Sequence, residues 1–399
     1  GSAGIINLVM KEDRKAGYYG SVQAGLDYSM AAPWNIPPGG NVGFNINFNA
    51  GPVDGYFNVG YRYRMSNGGS VTNRYNLSGM GSQELDSTLI ESHLLQDGQQ
   101  TRTGGGMFAR AGLNFRLSQH STIGVNGFGM ISDPNVMGSK DTYTRTYTFT
   151  DWLNPLNNRA YTREQSGRGW HPGGNVTLDY TLKYDMHQLI VSAMYNNFQW
   201  NQEQDYIQTE EGRDTTHQQQ NNYSHNQHIE IKADYEWKPT QQSRLEAGYN
   251  YSRTWGTNNS VAYNMFADAQ TELYPYYAQF DNIVQNHALY VTYGNRFWDK
   301  LSIQVGLRGE YYMRHLESYY KDNNGDVQDS YAANPSKQDT AYFQLFPSAY
   351  ISYDFGNGHE LQLNYTRRIN RPWGNQINPR IDFSDSTNIS YGNVDLLPA

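Results

Sequence analysis

The stretch His228-Ile229-Glu230-Ile231-Lys232-Ala233-Asp234-Tyr235-Glu236-Trp237 decides the fold. Its odd positions are Ile, Ile, Ala, Tyr and Trp, and its even positions are all ionisable. A period of two is the mark of a β-strand with one dry and one wet face, because successive side chains leave the backbone on opposite sides. The same alternation sets Leu301, Ile303, Val305, Leu307 and Tyr311 against Ser302, Gln304, Gly306, Arg308 and Glu310, and Val42, Phe44, Ile46 and Phe48 against Gly43, Asn45, Asn47 and Asn49. Further copies include Ala109, Ala111, Leu113, Phe115; Val176, Leu178, Tyr180, Leu182; and Leu189, Val191, Ala193, Tyr195. One sheet with a single wet face accounts for all of them.

The connections between these segments alternate in length. Short ones fall at Gly51 to Gly55, Leu117 to Ser121, Tyr184 to His187, Lys238 to Gln242, Phe297 to Lys300 and Asp354 to His359. Long polar ones lie between them: Ala31 to Gly40, Asn67 to Gln100, Asp133 to His171, Asp205 to Ser224, Asn258 to Ile283 and Lys321 to Thr340. Short turns on one rim and long loops on the other are the pattern of an outer-membrane β-barrel, which turns tightly on the periplasmic side and loops widely outside the cell. Counting segments between the connections predicts thirteen strands, an odd number where single-chain bacterial barrels are even. The expected fold is all-β, an antiparallel transmembrane β-barrel that is incomplete in this chain.

Composition agrees. The 399 residues are 37% hydrophobic and 17% charged, and no run approaches the ~20 apolar residues of a spanning helix. A barrel needs no such run, since every second residue of a strand faces away from lipid. The 34 Tyr, 8 Trp and 39 Gly suit strands, turns and interfacial rings. Trp237, Phe297, Trp298 and Phe355 fall at the short-turn rim, and Tyr28, Tyr63, Trp200, Tyr251 and Trp255 towards the long-loop end. A net charge of -8 with no basic run argues against nucleic acid as a partner. Zero Cys removes disulfides, thiolate metal sites and cysteine nucleophiles together. Residues 1–11 lack the pattern of a signal peptide.

No Ser/His/Asp constellation, nucleophile elbow or phosphate loop appears, so no enzymatic activity and no cofactor are expected. Candidate substrate contacts are of two kinds. Trp34, Trp152, Tyr161 and Trp170 lie in long connections and could stack against a sugar, peptide or aromatic chelate. His228, Glu230, Lys232 and Arg308 share the polar strand parity and could meet a ligand inside a barrel. The plainer reading of the second group is a wall of charges satisfying one another. Asp322, Asn324 and Asp326 have the first spacings of a calcium loop, but Val327 and Ala333 stand where Gly and Glu are required. Gln218 to Asn222 reads as a solvated polar tract.

The first residues, Gly4-Ile5-Ile6-Asn7-Leu8-Val9-Met10-Lys11, resemble the strand that ends the plug domain of TonB-dependent receptors. Gly17-Tyr18-Tyr19-Gly20-Ser21-Val22 and Gly40-Asn41-Val42-Gly43-Phe44-Asn45 resemble the opening barrel strands of the Bacteroidota-type outer-membrane barrel family. Leu345-Phe346-Pro347-Ser348 and Tyr365-Thr366-Arg367-Arg368-Ile369-Asn370-Arg371-Pro372 are similar to later ones, as is the run from Asn388 to Pro398, with Val394 and Leu397 where that family has Pro and Lys. The resemblance implies a barrel of about 22 strands, of which this chain would hold thirteen. Residues 1–15 would be the last plug strand and a linker, and 16–399 a partial barrel ending before closure. It also implies uptake of a scarce, bulky substrate such as a metal chelate, cobalamin, glycan or peptide. The implied partners are outer-membrane lipid, the chain's own plug domain, TonB acting through an upstream segment, and a surface lipoprotein. A passive channel or a surface-binding barrel without energy coupling is the rival expectation.

Overall fold

The structure, a computed structural model, describes residues 16–27, 39–77, 90–132, 139–266, 269–321, 327–328, 337–372, 374–378 and 391–398. The plug-like stretch Gly4 to Lys11, the loop tryptophan Trp34 and the calcium-like residues 322–326 lie outside that set.

The described residues form one antiparallel sheet of sixteen strands. A path of thirteen strands runs through it in chain order: β1 (Gly17–Asp27), β2 (Gly39–Ala50), β3 (Val53–Leu77), β4 (Ile90–Arg116), β5 (Ser121–Ile131), β8 (Gly173–Lys183), β9 (His187–Glu210), β10 (Thr216–Trp237), β11 (Ser243–Phe266), β12 (Ala269–Phe297), β13 (Leu301–Lys321), β15 (Lys337–Gly356) and β16 (His359–Thr366). The three strands beyond the sequence count of thirteen are β6 (Ser139–Asp151), β7 (Arg159–Trp170) and the two-residue β14 (Val327–Gln328). All three fall in connections that the sequence reads as loops.

Register proves the two-faced character of the sheet. Following cross-strand partners gives Phe48, Gly55, Leu113, Val125, Leu178, Ala193, Ile231 and Tyr251, an unbroken apolar line over eight strands. One residue along each strand, the parallel line reads Asp54, Asn114, Gly124, Asp179, Ser192, Lys232, Asn250, Ala288, Glu310 and Gln344. Among the described residues no second sheet covers the apolar line, and Leu289, Leu178, Leu307 and Leu363 stand exposed on that face. In a water-soluble sandwich these side chains would be the core. Here they are the outside, as a lipid-facing wall requires.

Several long connections are not loops. β3, β4, β9, β10, β11 and β12 each continue for 22 to 29 residues, at least twice the ~9–11 that a tilted crossing needs. The polar tract Gln218 to Asn222, read from sequence as a loop, lies near the start of β10 and pairs with both β9 and β11. The alternation of hydrophobicity stops there because both faces are wet, and backbone pairing with amide side chains takes over. Gln220 Nε2 donates to Ser260 Oγ at 3.1 Å, and Ser260 Oγ donates to Asn222 Oδ1 at 2.8 Å.

The connection from Asp133 to His171 contains the β6–β7 hairpin, which fills a gap in the sheet. β4 pairs with β5 over Met107 to Arg116 and, further up, with β6 over Ser92 to Thr103. β9 likewise pairs with β8 below and β7 above. The hairpin therefore stands on top of the β5–β8 pair. Pro172, which has no N–H to give to a ladder, separates β7 from β8 at the seam. Inside the hairpin Tyr147 and Tyr161 stack at 4.5 Å beside Leu94 and form the most buried aromatic cluster of the described residues.

Candidate functional site

The polar face is where a ligand could be met, and the residues nominated on it are brought together by the β10–β13 register. His228 Nδ1 sits 2.9 Å from Thr254 Oγ1, and His228 Nε2 is 3.8 Å from Glu230. Lys232 pairs with Asp234 at 2.7 Å, and Asp234 also accepts the Tyr290 hydroxyl. Tyr290 reaches it across Gly248, where any Cβ would overlap the phenol ring. Arg308 holds Glu310 at 2.6 Å, and Arg371 holds the other oxygen of Glu310 at 2.7 Å. Each of these charges has a partner on the same face. Among the described residues no group of three or more His, Asp or Glu could hold a metal ion.

The nominated aromatics part company. Tyr161 is 6% exposed, stacked on Tyr147 with the Arg159 guanidinium over its ring, so it holds the hairpin together. Trp152 is exposed at the hairpin tip and extends a stack of Tyr75 and His93. Its backbone N–H donates to the Glu91 carbonyl at 3.0 Å. Trp170 pairs with Asn201 at the seam and is half-buried.

A ring that sequence reasoning placed only at the long-loop end proves central. Trp200 on β9 pairs with Ser224, so it lies on the polar face. The parity was readable: Leu189, Val191, Ala193 and Tyr195 are odd and apolar, which sends even-numbered Trp200 to the other side. Together with Phe198, Gln202, Asn222, Asn226 and Asn258 it lines a cavity of about 650 Å³ just inside the hairpin seam. The His171 ring lies against Trp200 with centroids 4.1 Å apart and planes tilted by 36°, and the His171 backbone N–H donates to Ser132 Oγ at 3.2 Å. Phe198 can lie flat only because its neighbour across the ladder is Gly173, where a Cβ would run into the ring.

The far wall of the cavity includes Asn378, from a segment that follows β16 and folds back over the polar face. Arg371 opens this segment by lying over the Tyr312 ring at 4.6 Å and donating through Nε to the Tyr342 hydroxyl at 2.9 Å. Ile377 and Val394 then pack on Phe280 of β12 and Leu316 of β13. Arg314 Nη2 donates to the Val394 carbonyl at 3.4 Å, and Gln338 Nε2 donates to Asp395 at 3.0 Å.

No curated protein matches the sequence. Among solved structures, the outer membrane protease OmpT of Escherichia coli is 13% identical over 77% of this chain and 96% of its own, with a TM-score of 0.27. A ferric enterobactin receptor of Pseudomonas aeruginosa is 8% identical over 86% and 74%, with a TM-score of 0.13. Neither likeness is close enough in shape to bear on activity. Residues 180–399, more than half of the chain, match the model of the outer membrane protein beta-barrel family. An antiparallel sheet with an uncovered apolar face and a charge-lined polar face is the wall such a family builds, and the chain belongs to the outer membrane protein beta-barrel family and resides in the outer membrane.

Proposed function

We propose that this chain is barrel wall of a TonB-dependent receptor that takes up a scarce, bulky substrate from outside the cell and catalyses no reaction. The observation that carries the reading is the covered polar face. Residues 371–372, 374–378 and 391–398 lie on it, bury Phe280 and Leu316, and neutralise Glu310 with Arg371. A passive channel keeps its lumen open to water, whereas a plugged receptor fills it with chain and opens it only under load. The resemblance of Gly4 to Lys11 to the last strand of a plug points the same way. In this reading the plug is engaged by TonB from the periplasm, and the strand extensions above the apolar belt form the vestibule that meets substrate or a surface lipoprotein.

Two measurements on the full-length protein test it. Purified TonB C-terminal domain should bind the protein in detergent micelles, and planar bilayers holding the protein should show no steady conductance. Steady open conductance with no binding of TonB would establish the passive channel instead.

A further inference from the structure

We infer that the seam cavity around Trp200 is a binding site for a neutral, polyhydroxylated ligand, an oligosaccharide of two or three sugar rings. The inference rests on the receptor reading only in taking the polar face as the side that meets substrate. The cavity's volume of about 650 Å³ lies within the ~300–1,000 Å³ of small-molecule sites. Its chemistry selects the ligand. Among the described residues no Asp, Glu, Lys or Arg lines it, and His171 and Tyr223 are its titratable lining residues. That is unusual on this face, where Lys232 and Asp234, Arg244 and Glu246, and Arg308 and Glu310 follow one another along the same strands.

An anionic chelate or a phosphate would be held by guanidinium or ammonium groups, and a lipid chain by an apolar wall. The cavity instead presents side-chain amides, from Gln202, Asn222, Asn226 and Asn258 on three adjacent strands and from Asn378 opposite. Each amide both donates and accepts, which is what a sugar hydroxyl asks of its partner. Trp200 is half exposed and Phe198 adjoins it two residues away on the same face. Two rings spaced along a strand give flat apolar platforms for the C–H faces of successive sugar rings, with polar groups at the edge.

The test is titration of the full-length protein in micelles with a panel of neutral malto-, xylo-, chito- and fructo-oligosaccharides, followed by calorimetry and by tryptophan fluorescence. An anionic ferric catecholate is run alongside. One oligosaccharide series should bind saturably and the catecholate should not compete. Trp200→Ala should weaken that binding at least tenfold, and Asn258→Asp, which exchanges two N–H donors for a charged acceptor at constant shape, should also weaken it. Trp298→Ala, at the opposite rim, should leave it unchanged. Each variant is checked for folding by heat-dependent gel mobility. Absence of binding to every neutral series, competition by the catecholate, or wild-type affinity in folded Trp200→Ala would each overturn the proposal. Saccharide binding without any TonB interaction would leave this site standing and remove the receptor reading; TonB binding without saccharide binding would do the reverse.

Discussion

Tyr56 lies over Gly112, one strand away, and its hydroxyl donates to Asn126 Oδ1 at 3.2 Å on the strand beyond. The ring can cross only because Gly112 has no Cβ, which would overlap it. Gly112→Ala is therefore expected to displace Tyr56 and cost about 1–3 kcal/mol, the usual range for overpacking. Urea unfolding of the full-length protein in micelles, followed by gel mobility, reads the difference. A second strained position is the β12–β13 turn, where Trp298 and Asp299 both have positive φ, at 52° and 56°. Lys300 N donates to the Phe297 carbonyl at 3.1 Å and closes the turn. Two successive left-handed residues match the sheet's twist but suit Gly far better than a residue with a Cβ. Asp299→Gly should raise stability by about 1 kcal/mol in the same assay. The sequence marked a short turn here, but the left-handed pair became visible only in the backbone.

At the scale of elements, the β6–β7 hairpin depends on its contacts with β9. Glu210 closes that edge, and Arg159 donates to both of its oxygens, at 2.9 and 2.5 Å. The guanidinium hydrogen bonds hold the Glu210 carboxyl below its ordinary value of 4.5. A carboxylate whose pKa is depressed by folding stabilises the fold fully above its unfolded value and loses that contribution as pH falls through the folded one. Protection of the hairpin amides against hydrogen exchange is thus expected to hold at neutral pH and to fall as the medium is acidified below about 4.5. In Glu210→Gln the protection should be lower at neutral pH and should lose this component of its acid dependence. An acid dependence unchanged by the substitution would assign it elsewhere. The sequence showed the polar character of this region but not its strands. Both its faces are wet, so the period-two signal that marks a membrane strand is absent.

The whole molecule is a test of parity. Leu178 lies on the apolar line and Asp179, its neighbour, on the polar one. Leu178→Arg should cost about 2–4 kcal/mol of stability in a bilayer if the site sits near the midplane, while Asp179→Asn should change it far less. Equal costs at both positions would mean that the apolar face does not meet lipid. The full-length protein is likewise expected to require detergent or bilayer to remain monodisperse, and solubility in plain buffer would contradict the membrane wall.

Alternation along Ile229 to Trp237 and its copies settled, without coordinates, that these segments are β-strands, that one face is apolar, and that the turns sort by rim. Those properties are local: a side chain's face depends only on its position in its own strand. The pairing of Leu94 with Phe149 and of Tyr161 with Glu210, and the gathering of Trp200, Asn258 and Asn378 around one cavity, join residues far apart in the chain. No periodicity in the sequence records such a meeting, because it depends on which strand lies beside which and on how far the ladder runs beyond the membrane. Tertiary structure alone decided that the polar connections stand up as walls and that the ring at Trp200, whose face its parity gives, meets Asn258 and Asn378 in one cavity.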